Sequence, residues 1–174
     1  MFQLKSIEGI VHKIIGNNIQ NFPKSIDFPF SALYKKVITT IKTIEISSEC
    51  ILYNSVEANN ATKEFSDKSY WKENITTNEI KEYWFIGNNA QGDLWVMDKI
   101  NKVYFYDHDL EEMAKENFID FNIDFGQWLQ FAYLNKELDQ IIDGGKYKKN
   151  ITEEYKKGLM KISKELLENY PFEI

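Results

Sequence analysis

The sequence has no arginine, a single cysteine, only three prolines and no long apolar run. All 21 of its basic residues are lysines. A guanidinium group holds carboxylate, phosphate or guanine through two parallel hydrogen bonds, and the lysine ammonium cannot form this fork. The absence of arginine therefore argues against sequence-specific DNA recognition and against arginine-finger chemistry.

The lone cysteine and the charged residues near the N-terminus indicate where in the cell the protein is located. Cys50 has no second cysteine with which to form an internal disulfide, which fits a reducing cytoplasm better than secretion. No stretch approaches the roughly 18–20 apolar residues that span a bilayer. Lys5, Glu8, His12 and Lys13 interrupt the apolar residues near the N-terminus, so we expect no signal peptide. We predict a cytoplasmic protein that has no membrane partner.

What the sequence does contain suits a folded domain. Of its 174 residues, 43% are hydrophobic and 15% aromatic, which excludes a disordered or fibrous protein. A chain of this length typically forms one domain. The 27 acidic residues exceed the 21 lysines and leave a net charge of −6. This balance argues against a nucleic-acid partner and favours a basic one.

Apolar residues three and four positions apart predict helices in both halves of the chain. The predicted helices cover residues 7–15, 34–41, 55–65, 125–142 and 155–166. Ser31, Asp124 and Thr152 are the predicted N-caps of the second, fourth and fifth helices. Pro23 and Pro29 mark a loop between the first two helices.

Runs of β-branched and aromatic residues predict strands between these helices. The predicted strands cover residues 45–53, 83–86, 94–97 and 103–106. Short turns join the last three, so we predict an antiparallel meander around residues 83–107. Alternation assigns Trp95 and Met97 to one sheet face and Leu94 and Val96 to the other. Because both faces are apolar, we expect helices or loops to cover each of them.

The order of these elements predicts an α+β fold, in which a central and mainly antiparallel sheet is flanked by N- and C-terminal helices. We expect residues 1–145 to form the α+β domain. Residues 146–174 are predicted to be a helical extension that packs on the same domain.

The segment Asp107-His108-Asp109 has the residue types of a metal site. Adjacent residues of a strand point to opposite faces, so the three side chains cannot converge on one ion while the strand continues. The other histidine, His12, is distant in the sequence. We therefore predict no metal site, and we interpret the segment as a polar strand end that leads into a helix starting at Glu111.

Other catalytic arrangements are also weakly supported, so we predict no catalytic residue, no cofactor and no enzymatic activity. Cys50 lies beside apolar strand residues and has no identifiable histidine partner, which is typical of a small core residue. Asp93 and Asp98 are interpreted as turn residues rather than an acid/base pair. The loop from Gly87 to Gly92 leads into a strand, whereas a phosphate-binding loop leads into a helix.

Aromatic and acidic residues near the end of the meander offer a binding surface. The aromatic candidates are Trp71, Trp95, Tyr104 and Tyr106. The acidic candidates are Asp107, Asp109, Glu111, Glu112, Glu116 and Asp120. Exposed together, they would form an aromatic patch with an acidic rim that attracts a basic protein. The alternative is that the aromatic residues belong to the core and the acids form an ordinary solvated face.

The central segment resembles the SUKH superfamily of Smi/Knr-type domains. Residues 83–98 are Tyr-Trp-Phe-Ile-Gly-Asn-Asn-Ala-Gln-Gly-Asp-Leu-Trp-Val-Met-Asp, and residues 102–109 are Lys-Val-Tyr-Phe-Tyr-Asp-His-Asp. In that family a strand ends in Ile-Gly, a glycine-rich turn closes with Gly-Asp or Gly-Glu, and a hairpin ends near Asp-His. Residues 125–129, Phe-Gly-Gln-Trp-Leu, are similar to the family's following helix. The resemblance covers residues 83–134.

This resemblance implies a non-enzymatic α+β domain. Bacterial members are largely immunity proteins that neutralise polymorphic toxins, frequently nucleases, and other members resemble cell-wall-synthesis regulators. Gly87, Gly92 and Asp93 carry over as structural residues, two permissive backbone positions and one turn-capping acid. Trp128 is expected to be structural as well, on the buried face of its helix. We expect an immunity protein that occludes the active surface of a basic protein toxin, with a regulatory scaffold as the alternative.

Overall fold

The computed structural model describes residues 2–17, 20, 26–146 and 148–171. Within them the chain forms seven α-helices, a six-stranded sheet and two short 3₁₀ turns. The helices are α1 (Ile7–Asn17), α2 (Ala32–Ile38), α3 (Ser55–Glu64), α4 (Thr77–Ile80), α5 (Phe125–Asp143), α6 (Lys149–Ile162) and α7 (Lys164–Asn169). The strands are β1 (Ile44–Ser47), β2 (Cys50–Leu52), β3 (Tyr83–Asn88), β4 (Leu94–Asp98), β5 (Lys102–Tyr106) and β6 (Phe118–Asp124).

The six strands lie in the sheet in chain order, and each pairs antiparallel with the next. The predicted α+β class is therefore confirmed, as is the meander, which corresponds to β3, β4 and β5. The described helices are all too short or too polar to cross a membrane. Of the two prolines predicted to mark a loop, Pro23 lies outside the described residues.

Both faces of the sheet are covered, as alternation predicts. Trp95 and Met97 belong to the main core, which packs against α1, α2, α5, α6 and α7. Leu94 and Val96 belong to a second core on the opposite face, beneath the α3 side of the molecule. Its buried members are Trp71, Ile80, Phe85, Leu94, Val96, Tyr106, Met113 and Phe118.

Helix α5 is the central helix of the main core, and its start is fixed by a capping box. The Asp124 carboxylate accepts a hydrogen bond from the Gln127 N–H (2.9 Å), and the Gln127 side chain accepts one from the Asp124 N–H (3.0 Å). Ser31 caps α2 as predicted. Such caps satisfy N–H groups that have no partner within the helix.

Two predictions about these elements, a single strand over residues 45–53 and a helix start at Glu111, are wrong, and one strand was missed. Residues 45–53 form a hairpin, β1 and β2, rather than one strand. Strand β6 was not predicted. No helix starts at Glu111: residues 107–112 form an exposed loop, and the next helical element is a 3₁₀ turn at Lys115–Asn117.

The C-terminal helix differs from its prediction in two ways. It starts at Lys149 rather than after Thr152, and it is interrupted at Ser163, whose extended backbone (φ −158°) ends α6. The Ser163 hydroxyl also accepts a hydrogen bond from the Leu166 N–H and so caps α7. Tyr155 and Leu166 are fully buried in the main core, so both helices pack on the sheet-containing body.

Candidate protein-binding loop

The predicted aromatic patch is not present, because two of its key members are buried. Trp95 is 1% exposed, and its Nε1–H donates to the Glu49 carbonyl at 2.8 Å. Tyr106 is 4% exposed, and its hydroxyl donates to the Leu110 carbonyl. The Trp71 ring is buried too. Tyr104 is half-buried, and its hydroxyl donates a hydrogen bond to the Asp98 carboxylate at 3.0 Å. These aromatic residues build the two cores rather than a patch in solvent.

The acidic half of the predicted surface lies in solvent. We call residues 107–112 the acidic loop; they are Asp107, His108, Asp109, Leu110, Glu111 and Glu112. Asp107 is half-exposed and the other five residues are exposed. The Leu110 side chain, 40% exposed, lies among the four acids and was missed from the sequence. In the sequence, Leu110 is marked only as a single apolar residue within a run of polar residues.

The acids of this region fall into two groups. Glu116 pairs with Lys72, and Asp120 pairs with Lys102, each at 2.6 Å. Within the described part of the chain, no lysine pairs with any of the four acids of the acidic loop. The loop therefore presents net negative charge to solvent, beside an exposed apolar side chain.

The start of the acidic loop is bound to the β3–β4 turn. Asp93 is 3% exposed, and its Oδ1 accepts a hydrogen bond from the His108 backbone N–H at 3.1 Å. The His108 Nδ1 lies 2.6 Å from the same oxygen. This hydrogen bond, followed by the negative charges of Asp93, Asp109 and Asp107, raises the pKa of His108 above its ordinary value. The contact fixes the orientation of His108 although the ring itself faces solvent.

The end of the loop is bound to the segment before α4. The Met113 N–H donates to the Tyr70 carbonyl at 2.8 Å, and the Lys72 N–H donates to the Met113 carbonyl at 3.1 Å. Asn117 donates its side-chain N–H to the Glu112 carbonyl at 2.8 Å. Because both ends are held, the acidic loop has a defined shape despite its exposure.

The turn that receives His108 is organised by Asn89. Its side-chain oxygen accepts from the backbone N–H groups of Gln91 (3.0 Å) and Asp93 (2.9 Å), and its side-chain N–H donates to Asp93 Oδ2 (2.8 Å). The residue that caps the turn is therefore Asn89. Asp93, predicted to be the turn-capping acid, instead uses its carboxylate to join the turn to the acidic loop.

The two predicted glycines occupy positions with different constraints. A Cβ at Gly87 would lie 2.1 Å from the Ile51 carbonyl oxygen, because β2 approaches β3 closely there. Gly92 has φ +103°, a conformation that other residues rarely adopt. Trp128, on α5, is fully buried and packs edge-on against Trp95 with ring centroids 5.8 Å apart.

One group of potential metal ligands also converges here. Asp93, Asp107 and His108 each place a donor atom within 4.8 Å of the other two. The argument that neighbouring residues cannot converge fails at this point because β5 ends at Tyr106, before Asp107. Asp109 lies outside the group; its Oδ1 is 3.5 Å from His108 Nε2.

Comparison with models of protein families, with curated proteins and with solved structures gives no match to this chain.

Proposed function

We propose that this chain is a non-enzymatic, cytoplasmic protein-binding domain, and specifically an immunity protein that binds a basic toxin through the acidic loop and occludes its active surface. The observation that carries the proposal is the acidic loop itself. It has four acids with no lysine partner among the described residues, one exposed leucine, and hydrogen bonds that hold both of its ends. The resemblance of residues 83–134 to SUKH domains supports the same function.

The chemistry of the loop suits such a partner. A nuclease surface is commonly basic because it must hold phosphate, so an acidic inhibitor gains association rate and orientation from opposite charge. Leu110 adds an apolar contact at the centre of the acids, where a partner excludes water. A loop that is already ordered loses less conformational entropy on binding than a flexible one.

The first experiment is capture of the tagged protein from its host at low and high salt, with identification of bound proteins by mass spectrometry. We expect one basic protein, bound near-stoichiometrically and released by salt. Co-expression should then protect cells from that protein. Several envelope or signalling proteins at low occupancy would instead favour a regulatory scaffold of the cell-wall-synthesis type.

A charge-matched pair of variants tests the role of the acidic loop. The test variant carries Asp109→Asn, Glu111→Gln and Glu112→Gln. The control carries Glu8→Gln, Asp143→Asn and Glu153→Gln, which removes the same three charges from exposed positions elsewhere. We expect only the loop variant to lose binding to the captured toxin and protection of cells. Equal loss in both variants would mean that net charge, rather than the acidic loop, governs the interaction.

A further inference from the structure

Two connections at one end of the sheet bring three metal-binding side chains together. Asp93 closes the β3–β4 turn, whereas Asp107 and His108 follow the end of β5. One donor atom from each lies within 4.8 Å of the other two. A hydrogen bond of 2.6 Å between His108 Nδ1 and Asp93 Oδ1 now joins two of these side chains.

The donor set suits a divalent transition-metal ion. Zinc binds imidazole nitrogen and carboxylate oxygen at about 2.0–2.2 Å, and metal sites with three protein ligands keep a position open for water. Two carboxylates match the charge of a divalent cation. The ion would take the place of the proton on His108 Nδ1, and the neutral ring would keep one proton on Nε2. The buried position of Asp93, 3% exposed, gives one ligand a fixed location.

Each of the three side chains already has a partner that orients it. Asn89 donates to Asp93 Oδ2 at 2.8 Å, and the Asp109 N–H donates to Asp107 Oδ1 at 2.9 Å. His108 Nε2 faces the Asp109 carboxylate at 3.5 Å. Histidine ligands of metals commonly direct their second ring nitrogen at a carboxylate in this way.

We propose that Asp93, Asp107 and His108 bind one divalent transition-metal ion per chain, with zinc as the representative ion. The bound ion links the β3–β4 turn to the acidic loop more strongly than the present hydrogen bond does. This assignment is separate from the proposed toxin binding, since it concerns the isolated chain and needs no partner protein.

The first test is titration of the chelator-treated full chain with zinc chloride, measured by calorimetry. We expect one zinc ion per chain. His108→Ala should weaken binding about 100-fold or more, because even loss of an outer partner costs roughly 10- to 100-fold in affinity. His12→Ala is the matched control, since His12 is the only other histidine and lies exposed on α1. Zinc affinities within twofold of each other in wild type and His108→Ala would overturn the proposal.

A second pair of variants separates coordination from general electrostatic attraction. Asp107→Asn and Glu111→Gln each remove one negative charge from the acidic loop. Coordination predicts a large loss of affinity for Asp107→Asn alone, whereas diffuse attraction predicts the same small loss for both. Thermal unfolding without metal checks that each variant is folded, and added zinc should raise the Tm of wild type but not of His108→Ala. Equal losses, or no saturable uptake, would refute the site.

Discussion

Asp93 Oδ1 and His108 Nδ1, separated by 15 positions in the chain, lie 2.6 Å apart. The register of the β4–β5 hairpin produces this contact, because Leu94 is paired with Tyr106 and the next residue outward on each strand is an aspartate. The hairpin thus places the Asp93 side chain next to the first residues of the acidic loop. The contact makes the loop's shape depend on a buried residue of another turn.

Asp93→Ala should destabilise the protein by about 1–3 kcal/mol, since the His108 backbone N–H loses its acceptor and the Asn89 side-chain amide loses one of its two. Urea unfolding followed by tryptophan fluorescence measures the change. Asp109→Ala is the control, because Asp109 is exposed at the same end of the sheet. A loss of less than about 0.5 kcal/mol for Asp93→Ala, the range of ordinary surface changes, would contradict this account.

Gly87→Ala should be destabilising by at least about 1–3 kcal/mol, because its new methyl would meet the Ile51 carbonyl oxygen at 2.1 Å and push β2 from β3. Gly16→Ala is the matched control: it lies in α1 with no atom near the added Cβ. An alanine there should stabilise the helix by about 0.5–1 kcal/mol. Equal effects at the two glycines in denaturant unfolding would show that the close approach is not a constraint.

Trp128→Ala should cost about 3–5 kcal/mol of unfolding free energy, because the ring is fully buried between Trp95 and Phe125. Trp128→Phe should cost less, since it keeps a packed ring and removes an indole N–H that has no hydrogen-bond partner within the described ranges of the chain. Met160→Ala, at a position 55% exposed on α6, provides the surface comparison. If Trp128→Ala and Met160→Ala unfold at the same denaturant concentration, the packing of α5 is not as described.

The elements that were predictable from sequence have strong local signals. In α1 and α5 the apolar residues recur at helical spacing, and α5 also begins after a recognisable N-cap, Asp124. Strands β3 to β5 combine alternation of side chains with short turns. Strand β6 lacks a clean signal, because Asn122 adopts φ +53° and the register shifts opposite Val103 and Tyr104. The shift interrupts the alternation of apolar residues on which strand prediction depends.

The candidate site was only partly predictable for a different reason. Alternation assigns side chains to sheet faces, and the apolar residues on both faces predict that each face is covered. It does not tell whether a particular aromatic residue near the end of a strand, such as Tyr106, lies under that cover or in solvent. The exposure of the acids follows from their charge. The approach of Asp93 to His108 depends on strand register, and a shift of one residue would place Asp93 on the other face.

Glu49, in the turn between β1 and β2, should make stability depend on pH. Burial raises its pKa above the ordinary value of 4.5, and the nearby carboxylates of Asp139 and Asp93 raise it further. The folded state therefore holds this proton more tightly than the unfolded state. As pH rises from about 4.5 through the folded-state pKa, the folded chain must give up the proton and loses stability.

Glu49→Gln removes this cost while keeping an oxygen that accepts the hydrogen bond from Asn89. We expect a higher Tm than wild type at pH 7.5, with the difference shrinking as the pH falls towards 4.5. Glu153→Gln, exposed on α6, corrects for the general benefit of removing one negative charge from a chain of net charge −6. The measurement is a series of thermal unfolding curves across this pH range for the three proteins. A constant difference between Glu49→Gln and wild type would show that the Glu49 carboxylate titrates alike in the folded and unfolded chain.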